Sequence, residues 1–295
     1  MPRTSFEALL EAGAHFGHLK RKWNPNIAPY VFGEKNGIHI IDLNKTIVKL
    51  DEAANAMKQI AKSGRTILFV ATKKQAKAII NDRIKEVNMP SVTERWTGGM
   101  LTNFATIRRS VRKMADMNRM ANDGTLDTLS KKEKLQLSRQ RMKLEHQLGT
   151  IANMTRLPAA VFVVDISKEH IAISEARKLN IPTFAIVDTN SDPNEVDFAI
   201  PANDDSSTSI RVIVDTLIAG IKEGLEERRD AQFSNKKDDK EESEVEASEE
   251  HKYEAGEEEE TPAETEDGKR PRVPHHHKGG GAAKRGNRPT KPVTK

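Results

Sequence analysis

The sequence RWTGGMLTNF, Arg95 to Phe104, begins a stretch that continues to Pro158 and decides how this chain is organised. Before this stretch, short apolar runs alternate with amphipathic segments, and the same alternation resumes after it. Strand-length apolar runs that alternate with helical segments are typical of an α/β domain with a parallel sheet. We therefore interpret the stretch as a helical insertion within one α/β domain.

Two apolar stripes with helical spacing lie inside the insertion, and the turn signal NDGT (122–125) separates them. Two such stripes joined by a short connection predict an antiparallel coiled-coil hairpin over residues 104–157. The stripes comprise Phe104, Ile107, Val111 and Met114 in the first arm, and Leu137, Leu144, Leu148 and Ile151 in the second.

The predicted hairpin is strongly basic. From Phe104 to Leu157 it holds twelve Lys or Arg and five acidic residues, a net charge of +7. An exposed helix usually mixes both signs on its solvated face, whereas clustered cations track the phosphates of a nucleic acid. The excess favours RNA or another polyanion as a partner over plain solvation.

The apolar runs 66–71 (TILFVA), 159–164 (AAVFVV) and 183–187 have the length and continuity of strands that are buried on both faces. Asp42 or Asn44 is suited to cap the helix before the first run, and Thr72 the helix after it. We predict a doubly wound parallel sheet, built from residues 1–103 and 158–229. Function in such sheets usually lies beyond the carboxyl ends of the strands.

The C-terminal tail differs from the body in charge and composition. Residues 1–233 carry +7, residues 234–267 carry −12 and residues 268–295 carry +9. From about residue 230 the chain has hardly any large apolar side chains, so it cannot bury enough surface to offset chain entropy. We predict a disordered acidic-then-basic tail over residues 230–295.

Composition excludes several classes of protein. The chain has no Cys, which excludes disulfides, thiol nucleophiles and cysteine metal sites. Neither a signal-peptide core nor an apolar run of ~18 residues is present. We expect a soluble, cytoplasmic protein that makes no membrane contact.

The motifs of a nucleotide-binding enzyme are missing. No GxGxxG follows a strand, no GxxxxGK[ST] occurs, and TKKQAK after TILFVA offers no glycine for a diphosphate. Gly98-Gly99 is better explained as a tight turn. We therefore expect no catalysis, no cofactor and no small-molecule substrate.

A divalent metal site is a weaker possibility. Two histidines and four aspartates supply imidazole and oxygen ligands, namely His15, His18, Asp188, Asp192, Asp204 and Asp205, of which His18, Asp188, Asp192 and Asp205 are the candidates for a site. Capping, turn formation and hydrogen bonding by Asn and Asp are the simpler explanation of the DTNSDP and NDD loops. Both interpretations stay open at this point.

Both tryptophans stand beside cations. Trp23 follows Lys20-Arg21-Lys22, and Trp96 follows Arg95. Each indole either packs in the core or anchors a loop whose cations reach phosphate or stack on a base.

Four motifs in this order closely resemble the bacterial family of small-subunit ribosomal protein two, over about residues 1–228. The resemblance implies a flavodoxin-like α/β domain with a protruding coiled-coil hairpin and a structural role. It also implies rRNA binding between the head and body of the small subunit, next to neighbouring ribosomal proteins. Among these is the large first protein of the small subunit, which captures messenger RNA. The motifs are GAHFGHLKRKWNPNIAPYVFG, NGIHIIDLNKT, RWTGGMLTNF and IPTFAIVDTNSDPNEVDFAIPANDD.

The resemblance also implies which residues contact RNA, by position within the matched motifs; for the hairpin arginines it rests on charge more than on identity. The tail has no counterpart in the usual family pattern, and we hypothesise that its basic end adds rRNA affinity while its acidic block limits premature binding. Two rival functions are a nucleotide-binding enzyme and a free nucleic-acid chaperone. The implied RNA-contacting residues are Lys20, Arg21, Lys22, Trp23, Asn24, Arg95, Trp96, Thr102, Asn103, Arg108, Arg109 and Arg112.

Overall fold

The structure, a computed structural model, describes residues 3–123 and 130–254, with side chains as far as residue 233. The chain forms two units, Met1–Asp239 and Lys240–Lys295. In the second unit the described backbone, residues 240–254, is helical. No helix in the described part of the chain is both long enough and apolar enough to cross a bilayer.

Within the described residues, eight strands form two sheets, one of three antiparallel strands in the order β1-β3-β2 and one of five parallel strands in the order β5-β4-β6-β7-β8. The order of the five-stranded sheet fits the flavodoxin-like arrangement. The strands are β1 (Phe16–Leu19), β2 (Val31–Lys35), β3 (Ile38–Ile41), β4 (Ile67–Val70), β5 (Ser91–Val92), β6 (Ala160–Val164), β7 (Thr183–Val187) and β8 (Phe198–Pro201).

Seven helices lie in the described part of the chain. Short 3-10 turns also occur, among them 20–22 and 149–151. The helices are α1 (Phe6–Glu11), α2 (Leu43–Lys62), α3 (Lys74–Ile84), α4 (Phe104–Asn122), α5 (Lys131–Leu148), α6 (His170–Lys178) and α7 (Ser207–Glu254).

Alternation along the central strands divides the core into two layers. In β4, Ile67 and Phe69 pack on one face, with α2, α3 and α7, whereas Leu68 and Val70 pack on the other. The second face is covered by α6 and by the bases of α4 and α5. Because successive side chains of a strand point to opposite faces, strands covered on both sides need continuous apolar runs. The three predicted central strands are confirmed.

Helix α7 packs closely on α2 because glycine leaves room for the backbone. A Cβ on Gly224 would lie 3.1 Å from the Cβ of Ala61 and closer still to the carbonyl oxygen of Lys58. The amino terminus is also fastened to α7, since Arg3 Nη2 donates to Glu223 Oε2 at 2.9 Å and the Thr4 and Thr216 hydroxyls are 2.6 Å apart.

Some local details differ from the sequence predictions. Thr72 does not cap α3; its hydroxyl bonds to Glu169, and Lys73 stands at the N-cap without a side-chain bond to the first turn of the helix. Of the two residues predicted to cap α2, Asp42 is the N-cap, and its carboxylate accepts from the Asn44 N–H at 3.0 Å.

The structure describes only parts of the predicted hairpin and of the predicted tail. Helices α4 and α5 pack against each other, but the turn residues 124–129 lie outside the described residues, and the coiled-coil geometry stays a prediction. Helix α7 extends to Glu254, and its Glu, Lys and Ala favour extension of a helix that is already formed. The disorder predicted over residues 230–295 stays a prediction. Residues 255–295 lie outside the described residues.

Candidate nucleic-acid interface

The first predicted RNA-binding loop lies at the carboxyl edge of the five-stranded sheet. It follows β1 and is tied to the end of β7, since the Asn24 N–H donates to the Thr189 carbonyl at 2.8 Å and the His18 N–H to the Thr189 hydroxyl at 2.7 Å. Gly17 permits this approach, because a Cβ there would lie 2.5 Å from Thr189 Cγ2. The loop is therefore held to the sheet at fixed points.

The side chains of this loop face solvent to different degrees. Lys20, Arg21 and Lys22 are exposed, and Lys20 forms an ion pair of 2.8 Å with Glu34. Asn24 is half-buried and caps the next turn, accepting from the Asn26 N–H at 2.9 Å. Two unpaired cations within the described residues, Arg21 and Lys22, are thus available for phosphate.

Trp23 is the more accessible of the two indoles. It is 36 % exposed, and its ring centroid lies 4.9 Å from that of the buried His39 at an angle of 33°. Supported from behind by His39, its outer face is free to stack on a base.

Trp96 lies in the core at 7 % exposure, and its Nε1 donates to Glu175 at 3.1 Å. The carboxylate of Glu175, on α6, also accepts from the backbone N–H groups of Gly99 at 2.7 Å and Leu101 at 3.0 Å. Both the N–H and the hydroxyl of Thr102 complete the set, at 3.1 and 3.2 Å. The sequence offered no signal for Glu175, which holds together the whole turn that precedes α4.

The electrostatics of Glu175 follow from these bonds. Burial acts to raise the pKa of this carboxyl, but the N–H groups of Thr102, Leu101 and Gly99 together with the Trp96 indole outweigh burial and lower the pKa. Glu175 is therefore a buried carboxylate whose negative charge is stabilised by hydrogen-bond donors.

Helix α4 starts from this turn and carries the predicted arginines. Asn103 stands at its N-cap, and Arg95 and Asn103 are exposed. The apolar stripe of α4 faces inward, with Ile107 and Met114 buried. On the other side Arg108 is half-buried and Arg109 and Arg112 are exposed, and none of the three pairs with an acid among residues 3–123 and 130–233.

A second polar cluster lies at the same edge of the sheet. His18 Nδ1 is 2.9 Å from Asp188 Oδ2, and His18 Nε2 is 3.4 Å from Asp205 Oδ2. The Lys73 ammonium is 2.7 Å from Asp204 Oδ1 and 3.4 Å from Asp165 Oδ2, and it also contacts Asp205. Asp192 is not part of this cluster, because it caps a turn, accepting from the Asn194 N–H at 2.9 Å, and bonds the Asn26 amide.

The geometry of this cluster bears on the metal prediction. One ligand atom each of His18, Asp188 and Asp204 lie within 4.8 Å of one another, a spacing that admits a cation. The close pair His18 Nδ1 and Asp188 Oδ2 is not aligned for a hydrogen bond, so both atoms lack such a partner among the described residues. Of the predicted ligands, His18, Asp188, Asp204 and Asp205 come together, whereas Asp192 lies apart.

Charge crowding shifts the titration of this cluster. Burial, then the neighbouring charges of Asp188 and Asp165, raise the pKa of Asp204 to about 7. The carboxylate of Asp188, 2.9 Å from His18 Nδ1, raises the pKa of His18 against the effect of burial. The cluster therefore contains a carboxyl, Asp204, and an imidazole, His18, whose pKa values are both raised. Each binds a proton more readily than the free side chain does.

Comparison with known proteins agrees with this picture. The family model described as Ribosomal protein S2 matches residues 9–224. The chain is 65 % identical over 229 residues to the small ribosomal subunit protein uS2 of Phocaeicola vulgatus, covering 78 % of this chain and 82 % of that protein. It is 64 % identical to the uS2 protein of Bacteroides thetaiotaomicron over the same shares, and 62 % identical to that of Azobacteroides pseudotrichonymphae, covering 81 % of this chain and 92 % of that protein.

Proposed function

The chain belongs to the ribosomal protein S2 family, and we propose that it binds small-subunit rRNA through the carboxyl edge of its sheet and the basic face of α4. Members of this family are structural components of the ribosome and not enzymes, so the rival enzyme function is set aside. The protein acts in translation, as part of a cytoplasmic ribonucleoprotein particle.

One observation carries the proposal. Arg109 and Arg112 extend from one helix into solvent, with half-buried Arg108 beside them, and none of the three forms an ion pair with an acid of the described residues. Fixed cations without internal partners gain most from phosphate, because binding releases the condensed counterions of RNA. The helix is anchored at its start by the donors that converge on Glu175, so the arginines project from a rigid base.

Different residues of the two loops serve phosphate contact, base stacking and positioning. Arg21, Lys22 and Arg95 are exposed cations suited to phosphate, whereas Trp23 offers an aromatic face to a base. Trp96, which is buried, and Thr102, which is exposed, both bond to Glu175 and keep the second loop in place. Asn103 and Asn24 start the segments that present the cations.

The proposal extends to the position of the protein in the particle. We place it between head and body, in contact with neighbouring ribosomal proteins, including the first small-subunit protein. Phe32, on the antiparallel sheet, is 79 % exposed, and an apolar ring in that setting suits a protein contact.

Co-sedimentation with small ribosomal subunits in moderate salt tests the proposal. We expect the full chain to travel with the subunit and to bind naked small-subunit rRNA with an affinity that falls steeply as salt rises. A chain that binds every RNA equally and leaves the subunit in moderate salt would instead be a free nucleic-acid chaperone.

A further inference from the structure

A cavity of about 750 Å³ opens at the amino ends of β4, β5 and β6, which is the edge of the sheet opposite the loops described above. Its walls come from the connections that lead into these strands, residues 64–66, 88–90 and 153–159, and from Thr150. Cavities of this size accommodate ligands as large as a nucleotide. None of the RNA-contacting residues proposed above lines it.

The charge of the cavity is positive. Arg65 and Arg156 line it, no acidic side chain does, and neither arginine forms an ion pair within the described residues. The guanidinium of Arg228 lies against Gly64 at the rim and occupies the space where a Cβ would stand. Arginine binds phosphate through two parallel hydrogen bonds, so an anionic ligand is favoured here.

The remaining walls suit a base. Met89 and Met154 supply apolar, polarisable surface, and the Ile67 N–H donates to the Met89 sulfur at 3.5 Å. Asn88 and Asn153 bring amide donors and acceptors to the same space. Apolar walls for stacking, amides for base edges and arginine for phosphate are the groups that receive an unpaired nucleotide.

We propose that this cavity binds one unpaired nucleotide of RNA, which gives the protein a second RNA contact at the opposite edge of the sheet. The inference rests on the proposed rRNA binding and adds the site and the conformation of its ligand. A free mononucleotide has the same chemistry, but Gly64 is the only glycine in the walls, and no glycine-rich loop cradles a diphosphate. A nucleotide within a strand is held by its neighbours as well.

The salt dependence of rRNA binding tests the site. In the full chain, Arg65→Ala combined with Arg156→Ala should reduce the slope of log K against log salt by about 1.4, since each single-strand phosphate contributes about 0.7. Both side chains are exposed, so the melting temperature should stay unchanged. The matched control is Arg211→Ala, an exposed arginine on α7 without a described partner, which should keep the wild-type slope.

The outcomes separate this site from the proposed function. A wild-type slope in the double variant overturns the site, while a reduced slope in Arg108→Ala/Arg112→Ala in the same assay preserves the proposed function. An equal loss in Arg211→Ala shows a general charge effect and also overturns the site. A wild-type chain that does not bind rRNA overturns both.

Competition between RNAs, and binding of a free mononucleotide, test which ligand occupies the cavity. A single-stranded RNA oligonucleotide should displace a labelled one from the wild type at least tenfold more effectively than duplex RNA of equal length, and this preference should disappear in the double variant. Equal competition by the duplex overturns the unpaired nucleotide. Calorimetric binding of uridine monophosphate that vanishes in the double variant would assign a free nucleotide and overturn the RNA ligand.

Discussion

The indole Nε1 of Trp96 donates to the carboxylate of Glu175 across 3.1 Å and thereby joins the loop before α4 to helix α6. The two residues are 79 positions apart in the chain, and four further donor groups converge on the same carboxylate. The turn from which the basic helix α4 starts is thus bonded directly to α6.

Replacing Glu175 by Ala should lower the free energy of unfolding by about 3 kcal/mol. The loss leaves buried donors, the Trp96 indole among them, without an acceptor, and hydrogen bonds to a charged group contribute about 1.5–3 kcal/mol each. Urea unfolding followed by tryptophan fluorescence measures it. Glu145→Ala, at an exposed position of α5, should change stability by less than about 0.5 kcal/mol.

Stability should also show the titration of Glu175. Because the fold lowers the pKa of Glu175, its stabilising effect is present above the unfolded pKa, about 4.3, and is lost as pH falls through the folded value. The difference in unfolding free energy between wild type and Glu175→Gln should therefore be constant near neutral pH and shrink below about pH 4.3. A difference that grows on acidification would contradict the charged, donor-bound state.

Replacing Arg108 and Arg112 by Ala should reduce the salt slope of rRNA binding by roughly 0.7–0.9 for each phosphate that the variant no longer binds. Their guanidinium groups have no described acid partner, so the thermal midpoint should hardly change. Filter binding across a salt series gives the slope, and Arg177→Ala, exposed on α6, serves as a control. An unchanged slope would remove both arginines from the interface.

Trp23→Ala should weaken rRNA binding by about 1–3 kcal/mol without altering the salt slope, because base stacking releases no counterions. Trp23→Phe keeps an aromatic face against His39 and should recover most of the affinity. A change in slope in the Ala variant would indicate that the indole acts by positioning Lys22 rather than by stacking.

Gly224→Ala should destabilise the fold by about 1–3 kcal/mol, since the added methyl group meets the backbone of α2 at Lys58. Gly33→Ala makes a matched control, because nothing lies within 4 Å of the position that its Cβ would take. Thermal unfolding of both variants gives the comparison. Equal melting temperatures would show that α7 can move away from α2 at no cost.

The sequence predicted the central sheet well because its strands are covered on both faces. Continuous apolar runs such as 66–71 are compatible with few other structures, and helical spacing identified α2 and the buried stripe of α4. Strand β1 was not predicted, since its four residues, FGHL, neither alternate nor form an apolar run. β1 belongs to the three-stranded antiparallel sheet, and pairing with β3 decides its position there.

The candidate site was harder to predict because its partners are distant in the chain. Asp204 joins His18 and Lys73 only after the ends of several strands meet at one edge, and no local pattern separates it from Asp192. Glu175 likewise occupies an ordinary helical sequence. Exposed cations such as Arg112 were predictable, since charge clusters are visible without a fold.

The fastening of Arg3 to Glu223 and of Thr4 to Thr216 has a consequence for the newborn chain. The amino end is synthesised first and meets α2 early, because Arg3 also bonds to Asp51 and Asn55, but its partners on α7 are added only about 220 residues later. Until α7 has been made, the amino-terminal segment is held by its contacts with α2. Chains that end before α7 would therefore expose the apolar surface of α2 and of the sheet that α7 covers in the complete fold, and such surface promotes aggregation and chaperone binding.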